Sequence, residues 1–369
     1  MGIARDRRVL GRGERVRPGL WRLRLPLPWP GVPHGNAWAI AADGGIVMVD
    51  TGTYGPGSMA ELGRSLDQVG LELDQVTLLA CTHAHSDHWG QAAPIRERAD
   101  CELWMHPNHA HATKSASDPE AALARRLEVG RQSGIPEDAL RRYAERFRNL
   151  PSGVADVIEP DRDLVPGMEI DTDLGTWTVH ETPGHAPSHV CLFQREHRLL
   201  ISGDHLLGRI SLYFDYGWTP DPVGEFLDSL DRVERLDARL CLAGHGRPFV
   251  DVRGHIAGNR QLVRTRLESV LAAAGRGPRT VVEIVPDVYE EALSTSNASW
   301  LLSQTMCYLR HLELMGRVAS ESDGEAERWR VMTASATCAR RSRICGRSIL
   351  TSYRSRMAPV ARPEIRRSS

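Results

Sequence analysis

Cys81-Thr82-His83-Ala84-His85-Ser86-Asp87-His88-Trp89-Gly90 follows directly on the apolar run Val76-Thr77-Leu78-Leu79-Ala80. Three histidines and an aspartate fall within six positions of that stretch. The apolar run reads as a buried strand, and Gly90 lets the chain turn into a helix. Groups packed so tightly compete for few hydrogen-bond partners. A divalent cation removes the competition, because neutral imidazole and carboxylate are ligands for first-row metals. Side-chain direction repeats every second residue along an extended segment, so His83 and His85 share a side. Asp87 and His88 fall on the turn and reach a second position nearby. The stretch therefore predicts two metals in one pocket. Solvated loop histidines are the alternative, and four donors in this order after an apolar strand argue against it.

The surrounding sequence repeats the theme. Upstream, Leu20 to Leu25 alternates as a strand does, and Pro26 to Pro33 is expected to break it. Asn36–Ala41 and Ile46–Asp50 read as a hairpin closed by Asp43-Gly44-Gly45, and residues 58–69 as a helix. Downstream come a helix to about Arg98 and a strand from Cys101 to His106. Residues 113–150 change character: Leu140, Tyr143 and Phe147 recur at helical spacing. Two helices are expected there, as an insertion that either covers a pocket or simply packs. Strand-like runs then return at Thr176–Glu181, Val190–Gln194, Leu199–Ser202 and Arg239–Ala243. They lead into Gly184-His185, Gly203-Asp204 and Gly244-His245. Glycine admits close backbone approach, so each donor sits at the C-terminal edge of a strand. Two related strand-rich halves meeting at one edge are predicted.

His83-x-His85-x-Asp87-His88, followed in order by His185, Asp204 and His245, resembles the metallo-β-lactamase-fold hydrolases. The resemblance covers roughly residues 18 to 260 and includes Asp50. It implies an α/β (α+β) fold, an αββα sandwich of two sheets with helices outside. It implies that His83, His85 and His185 hold one metal, that Asp87, His88 and His245 hold the other, and that Asp204 bridges them. Asp87 and Asp204 would be the catalytic carboxylates, and Asp50 would orient a ligand histidine. The cofactor would be two divalent ions, Zn2+ with iron or manganese as alternatives. Gly184-His185-Ala186-Pro187-Ser188-His189 and Ser202 to Gly208 are most similar to the glyoxalase II and lactamase-β-2-like branch. A lactonase would carry a tyrosine shortly after the bridging Asp, but Leu206, Leu207 and Gly208 follow here. Tyr213 and Tyr216 can substitute only if the loop folds back.

The other histidines read differently. His106, His109 and His111 imitate a metal motif but lack an acidic partner in sequence, and read as surface or supporting histidines. His180 reads as structural, His189 as a neighbour supporting the ligands, and His205 as facing away from the site. His34 and Asn36 are placed in a loop near the pocket.

Residues 261–331 are expected as a separate winged-helix-like domain, with helices from Gln261, from Arg279 and from Ser299, and a hairpin around Ser320–Glu327. The third helix carries Arg310 as its only basic Lys or Arg, which favours packing over nucleic-acid reading. Residues 332–369 are rich in arginine, sparse in apolar residues and expected to be disordered, as is the basic arm 1–17. With a net charge of −1 the whole chain is no polyanion binder by bulk charge. Seven scattered cysteines without a C-x-x-C pair fit a reducing compartment. No run suits a secretory signal or a membrane span. A cytoplasmic hydrolase of a small ester, lactone or thioester is expected, with a metal-dependent endoribonuclease as the alternative. Its oligomeric state is left open, a homodimer among the options.

Overall fold

The structure, a computed structural model, describes residues 10–332 except 30, 290, 292, 295, 296, 323 and 325. The first sheet is built from β1 (Arg12–Arg17), β2 (Leu20–Trp29), β3 (Val32–Ala42), β4 (Gly45–Val49), β5 (Val76–Ala80), β6 (Glu102–Met105) and β7 (Arg162–Asp163), in that spatial order. β1 to β4 form an antiparallel meander, and β4 to β7 run parallel. Between them lie α1 (Ser58–Asp67), α2 (Ser86–Trp89) and α3 (Ala92–Ala99), then α4 (Ala110–Ser117), α5 (Pro119–Gln132) and α6 (Glu137–Arg148). The second sheet holds β8 (Glu169–Ile170), β9 (Trp177–Glu181), β10 (Val190–Gln194) and β11 (Leu199–Gly203), and after α7 (Pro222–Leu236) β12 (Leu240–Ala243). α8 (Val252–Ala274), α9 (Val281–Val288), α10 (Ala298–Leu314) and a hairpin of β13 (Val318–Ser322) and β14 (Glu327–Val331) complete the described chain.

Side-chain alternation sorts the core into layers. Trp38, Ile40, Val47 and Val49 of the first sheet meet Val179, Val190, Leu192 and Ile201 of the second. Their alternates, Ala37, Ala39 and Met48, face outward onto Leu62 and Leu66 of α1 and Ile95 of α3. Cys191, Phe193 and Leu200 face outward onto α7 to α10. The result is the expected αββα sandwich.

Four local expectations are corrected. The basic arm is not disordered where it is described: Arg12–Arg17 pairs with β2. Gly11 N–H donates to Glu61 Oε2, and Glu14 sits within 3.4 Å of Arg12, Arg22 and Arg24, so the charges are compensated and the glycines dock against α1. Pro26 and Pro28 do not end β2; the ladder shifts register between Pro26 and Trp29, which accommodates residues lacking an N–H. The insertion carries α4 as well as α5 and α6, because Asp118 ends one helix and its side chain caps the next. α8 begins at Val252 rather than Gln261 and so runs through the expected boundary at 260. Gly254 and Gly258 hide its helical pattern, yet Asp251 caps it through Gly254 N–H, and Gly258 gives Ile210 room to pack. Residues 1–9 and the tail from 333 lie outside the described residues.

Candidate metal centre

β5 ends at Ala80 and α2 begins at Ser86, so the donors of the opening stretch occupy one short connection and the first turn of α2. β9, β11 and β12 deliver His185, Asp204 and His245 to the same edge of the sandwich. The halves are joined there: Asn36 N–H donates to Gly244 O at 2.7 Å, and Gly35 bridges to His245. Close approach is needed at Gly244, where a Cβ would lie 2.2 Å from Asp204 Oδ1 and 2.8 Å from the His88 ring. Asp50 holds a left-handed φ of 65° at the end of β4, a conformation costly for most residues but tolerated by Asp and Asn.

The histidines share one plan. His88 Nδ1 donates to Asp50 Oδ2 at 2.9 Å, and His85 Nε2 donates to Asp215 Oδ2 at 2.8 Å. His185 Nδ1 donates to Tyr213 O at 3.1 Å, and His245 Nδ1 to His34 O at 3.2 Å. His83 Nδ1 donates to Thr82 Oγ1, whose own hydroxyl donates to Asp50 Oδ2. Each outer nitrogen thus carries a hydrogen, which leaves the inner nitrogen to turn a lone pair inward whenever the ring is neutral. Those lone pairs converge. His83 Nε2 and His185 Nε2 each lie 3.0 Å from His85 Nδ1. On the other side, His245 Nε2 lies 3.1 Å from Asp87 Oδ2 and 3.2 Å from Asp204 Oδ2. His88 Nε2 and Asp204 Oδ1 are 3.4 Å apart, both buried and both without a hydrogen-bond partner among the described residues.

Three inward lone pairs at 3.0 Å repel unless a positive charge sits among them. Two buried orphan atoms facing one another ask for the same thing. The donor set therefore fits divalent metal. The groups able to hold an ion are His83, His85 and His185; His83, His88 and Asp204; and Asp87, His88 and His245.

The environment splits the donors electrostatically. Burial and the surrounding imidazoles pull His83 well below the ordinary histidine range and His185 down to about 4. Burial acts the same way on His88 and His245, but there carboxylates outweigh it. Asp87, Asp204 and Asp50 raise His88 well above its usual value, and Asp204 with Asp87 raises His245 to about 10. Against the effect of burial, His245 and His88 hold Asp204 well below the carboxylate range.

All the ligand candidates read from the sequence come together here, and Asp50 lies behind His88. His189 Nε2 accepts from the Asp204 backbone N–H at 3.0 Å, fixing that loop. His205 turns away onto Phe226, 5.0 Å between ring centroids. His106 and His111 are buried rather than superficial. His106 faces Glu181, while His111 Nε2 lies 3.7 Å from Asp215 and joins a fourth donor group with His85 and Asp215. His34 and Asn36 lie on β3, not in a loop, and Asn36 Nδ2 donates to Ala243 O at 2.7 Å.

Two contributors escaped the sequence reading. Asp215 had no motif around it; only its place between Tyr213 and Tyr216 marks it. Arg22, 3% exposed, donates to Asn36 Oδ1 and to Gly246 O and so braces the His245 loop from a strand read only for its alternation. The loop after Asp204 does fold back, placing the Tyr213 ring 5.9 Å from His85 and 5.6 Å from His185. Surface hollows of about 530 and 500 Å3 lie elsewhere and share no residue with the donors, so donor chemistry rather than cavity size singles out this centre.

Known proteins resemble the chain over the same span. The probable metallo-hydrolase YqjP of Bacillus subtilis is 24% identical over 321 residues, covering 84% of this chain and 97% of that one. The atrochrysone carboxyl ACP thioesterase of Aspergillus chevalieri is 27% identical over 188 residues, 46% of this chain and 57% of the other. A metallo-beta-lactamase family protein of Thermus thermophilus superposes with a TM-score of 0.74 at 26% identity, over 86% of this chain and all of that one. A beta-lactamase domain protein from Burkholderia ambifaria does so at 0.73 and 29% identity, over 87% and 93%. Residues 30–245, which contain every donor named above, match the metallo-beta-lactamase superfamily; the chain belongs to that superfamily and is a metallo-hydrolase.

Proposed function

We propose that this enzyme uses two divalent ions, zinc in the first instance, to hydrolyse a small ester, lactone or thioester. The observation that carries the proposal is the convergence of inward lone pairs from five histidines, each anchored on its outer nitrogen. His83, His85 and His185 would hold one ion, Asp87, His88 and His245 the other, and Asp204 would touch both. Ions held there supply Lewis acidity and water acidic enough to ionise near neutral pH.

The chain's own residues set the rest. Asp50 and Asp215 fix the tautomers of His88 and His85. Asp204 offsets charge between the two donor groups. Tyr213, kept protonated by burial and by its hydrogen bond to Asp215, sets its ring beside His85 and His185, where its hydroxyl would serve a carbonyl oxygen gaining charge by turning from Asp215. That tyrosine supports an ester or lactone, and the thioesterase among the relatives supports a thioester as in hydroxyacylglutathione hydrolases. Buried, unpaired Cys81, Cys101, Cys191, Cys241 and Cys307 support a cytoplasmic setting. No helix of the described residues is long and apolar enough to cross a membrane.

Endoribonuclease activity has less support. α8 to α10 and the hairpin resemble a winged helix in element order, yet Arg310 of α10 is spent on Glu313, Glu327 and Tyr216 inside the fold. A panel of thioesters, lactones, esters and single-stranded RNA, run with metal analysis, tests the proposal. Hydrolysis of the acyl substrates that disappears in His83→Ala supports it. Acyl hydrolysis unchanged in His83→Ala, or cleavage of RNA alone, overturns it.

A further inference from the structure

The arginines of the helical insertion fall into two kinds. Arg131, Arg142 and Arg148 each grip a carboxylate at 2.5 to 3.0 Å, with Glu128, Asp138 and Glu120. Arg125, Arg126 and Arg141 pair with no carboxylate within 4.0 Å among the described residues; Arg125 lies on the Trp218 ring and Gly217 O, and the one that meets α10 is Arg126 of α5. Its guanidinium instead donates to Ser299 Oγ on α10 at 3.3 Å and lies 5.2 Å from the centre of the Phe147 ring. Tyr143, 5.9 Å from Phe147 between ring centroids, is a further neighbour. The side chain stays open to solvent although it is ringed by hydroxyls and aromatic faces.

Its position relative to the donors follows from a chain of contacts. Ser303, one turn along α10 from Ser299, accepts from Tyr216 N–H and donates to Phe214 O. α10 therefore clamps the loop that presents Tyr213 and Asp215 to His85 and His185. Arg126 also feels the charge of both Tyr213 and Asp215. A cation with no paired carboxylate among the described residues, joined through Ser299 and α10 to the loop of Tyr213 and Asp215 and still wet, has the makings of a recognition group. Guanidinium binds carboxylate or phosphate oxygens through paired N–H groups, and aromatic walls strengthen that bond by thinning the water.

We propose that Arg126 is the anion-recognition residue of the substrate site, so that the preferred substrate carries a carboxylate or phosphate remote from its scissile acyl bond. The inference rests on the acyl-hydrolase reading above and narrows its substrate class. A purely structural tie between α5 and α10 is the competing account, and it has no reason to distinguish charged from neutral ligands.

The test compares two thioesters that differ only in a terminal carboxylate or its methyl ester, and the two matching non-hydrolysable amides. In the metal-loaded wild type, the carboxylate thioester is expected to have the lower KM, and added salt to raise that KM alone. Arg126→Gln should raise KM for the carboxylate thioester about 10- to 100-fold and leave the methyl ester within about twofold. Arg126→Lys should keep part of the discrimination, and Ser299→Ala nearly all of it. The amides are followed by calorimetry. The carboxylate amide should bind the wild type about 10-fold or more tighter than Arg126→Gln, the methyl ester amide equally to both. Equal losses on charged and neutral ligands, or no loss on either, would overturn the assignment. Charge-selective binding of the amides without turnover of any thioester would uphold the subsite and reject the hydrolase reading alone. Should Arg126→Gln fail to fold, wild type and Arg126→Lys binding the two amides alike would overturn it.

Discussion

The two sides of the centre are built largely of histidines, and their neighbours pull those histidines in opposite directions. His83 and His185 sit among imidazoles, and burial makes them poor bases. His88 and His245 sit among carboxylates, and in the absence of a metal they are imidazolium partners in buried ion pairs. His83 and His185 thus offer lone pairs ready for an ion, while, against the effect of burial, Asp215 raises His85 between them. The other side must exchange protons for the ion. Neighbours, not residue type, decide which role a histidine takes.

Asp204 is where the comparison can be broken outright. Its two oxygens are the only carboxylate oxygens within 4.0 Å of histidines from both sides, His185 on one and His88 and His245 on the other, among the described residues. Asp204→Asn removes the charge that allows two dications to share one pocket. Metal content should fall from about two to about one per chain, and turnover by on the order of 10³-fold, the equivalent of several kcal/mol of lost charge stabilisation. Elemental analysis beside activity decides it. Two full equivalents retained would show that the ligands are assigned wrongly.

A smaller effect sharpens the comparison side by side. Asp215→Asn loosens His85 among the ligands, while Asp50→Asn, whose left-handed backbone Asn tolerates, loosens His88 directly and His83 only through Thr82. Asp215→Asn should weaken one metal step about 10- to 100-fold in a two-step titration against a chelator, and Asp50→Asn chiefly the other, with a smaller effect on the first. If both variants weaken the same step most, the two sides are not independent.

The protonation difference has its own signature. His245 is raised to about 10 in the folded, metal-free protein, above the ordinary histidine value of 6.5. Such a group stabilises the fold fully below about pH 6.5, and that contribution is lost as pH rises through about 10. Melting of the chelator-stripped protein should therefore decline across that window. The metal-loaded protein should not decline in the same way, because its His245 carries no inner proton. Loading the stripped protein at neutral pH should release protons, and His245→Ala should release about one fewer, read by calorimetry in buffers of different ionisation enthalpy.

Most of the sandwich and the seven donor positions were legible because both follow local rules. Alternation marks strands, and a donor after Gly at a strand end marks an edge where backbones crowd. Asp215 and Arg22 were not legible because their roles are relations across the fold. Asp215 matters only once the 206–221 loop has turned back onto His85, and Arg22 only once β2 meets the loop of β12. The start of α8 and the β1 pairing failed for another reason. The basic arm pairs because Glu14, further along β1, compensates its arginines, and α8 extends back through Gly254 and Gly258 because Asp251 caps it and Ile210 packs at Gly258.

The smallest expected effect concerns His106, which sequence alone places beside His109 and His111 in a second histidine cluster. The three do not converge. His106 Nε2 faces Glu181 Oε1 at 3.1 Å, its Nδ1 accepts from Asn108 N–H at 3.1 Å, and His109 turns to Thr113. Only His111 looks toward the centre, and it does so through Asp215. His106→Ala should cost about 1 kcal/mol of stability, because a buried hydrogen-bonded ring is lost at the start of α4. Metal content should stay at the wild-type value and activity within about twofold, since the change touches no donor and no residue that holds one. His111→Ala is the contrasting variant: it strips a neighbour from Asp215, so a shift confined to the His85 side is expected. Loss of a metal equivalent in His106→Ala would mean that the centre extends along α4, and the boundary drawn here around the two sides would be too tight.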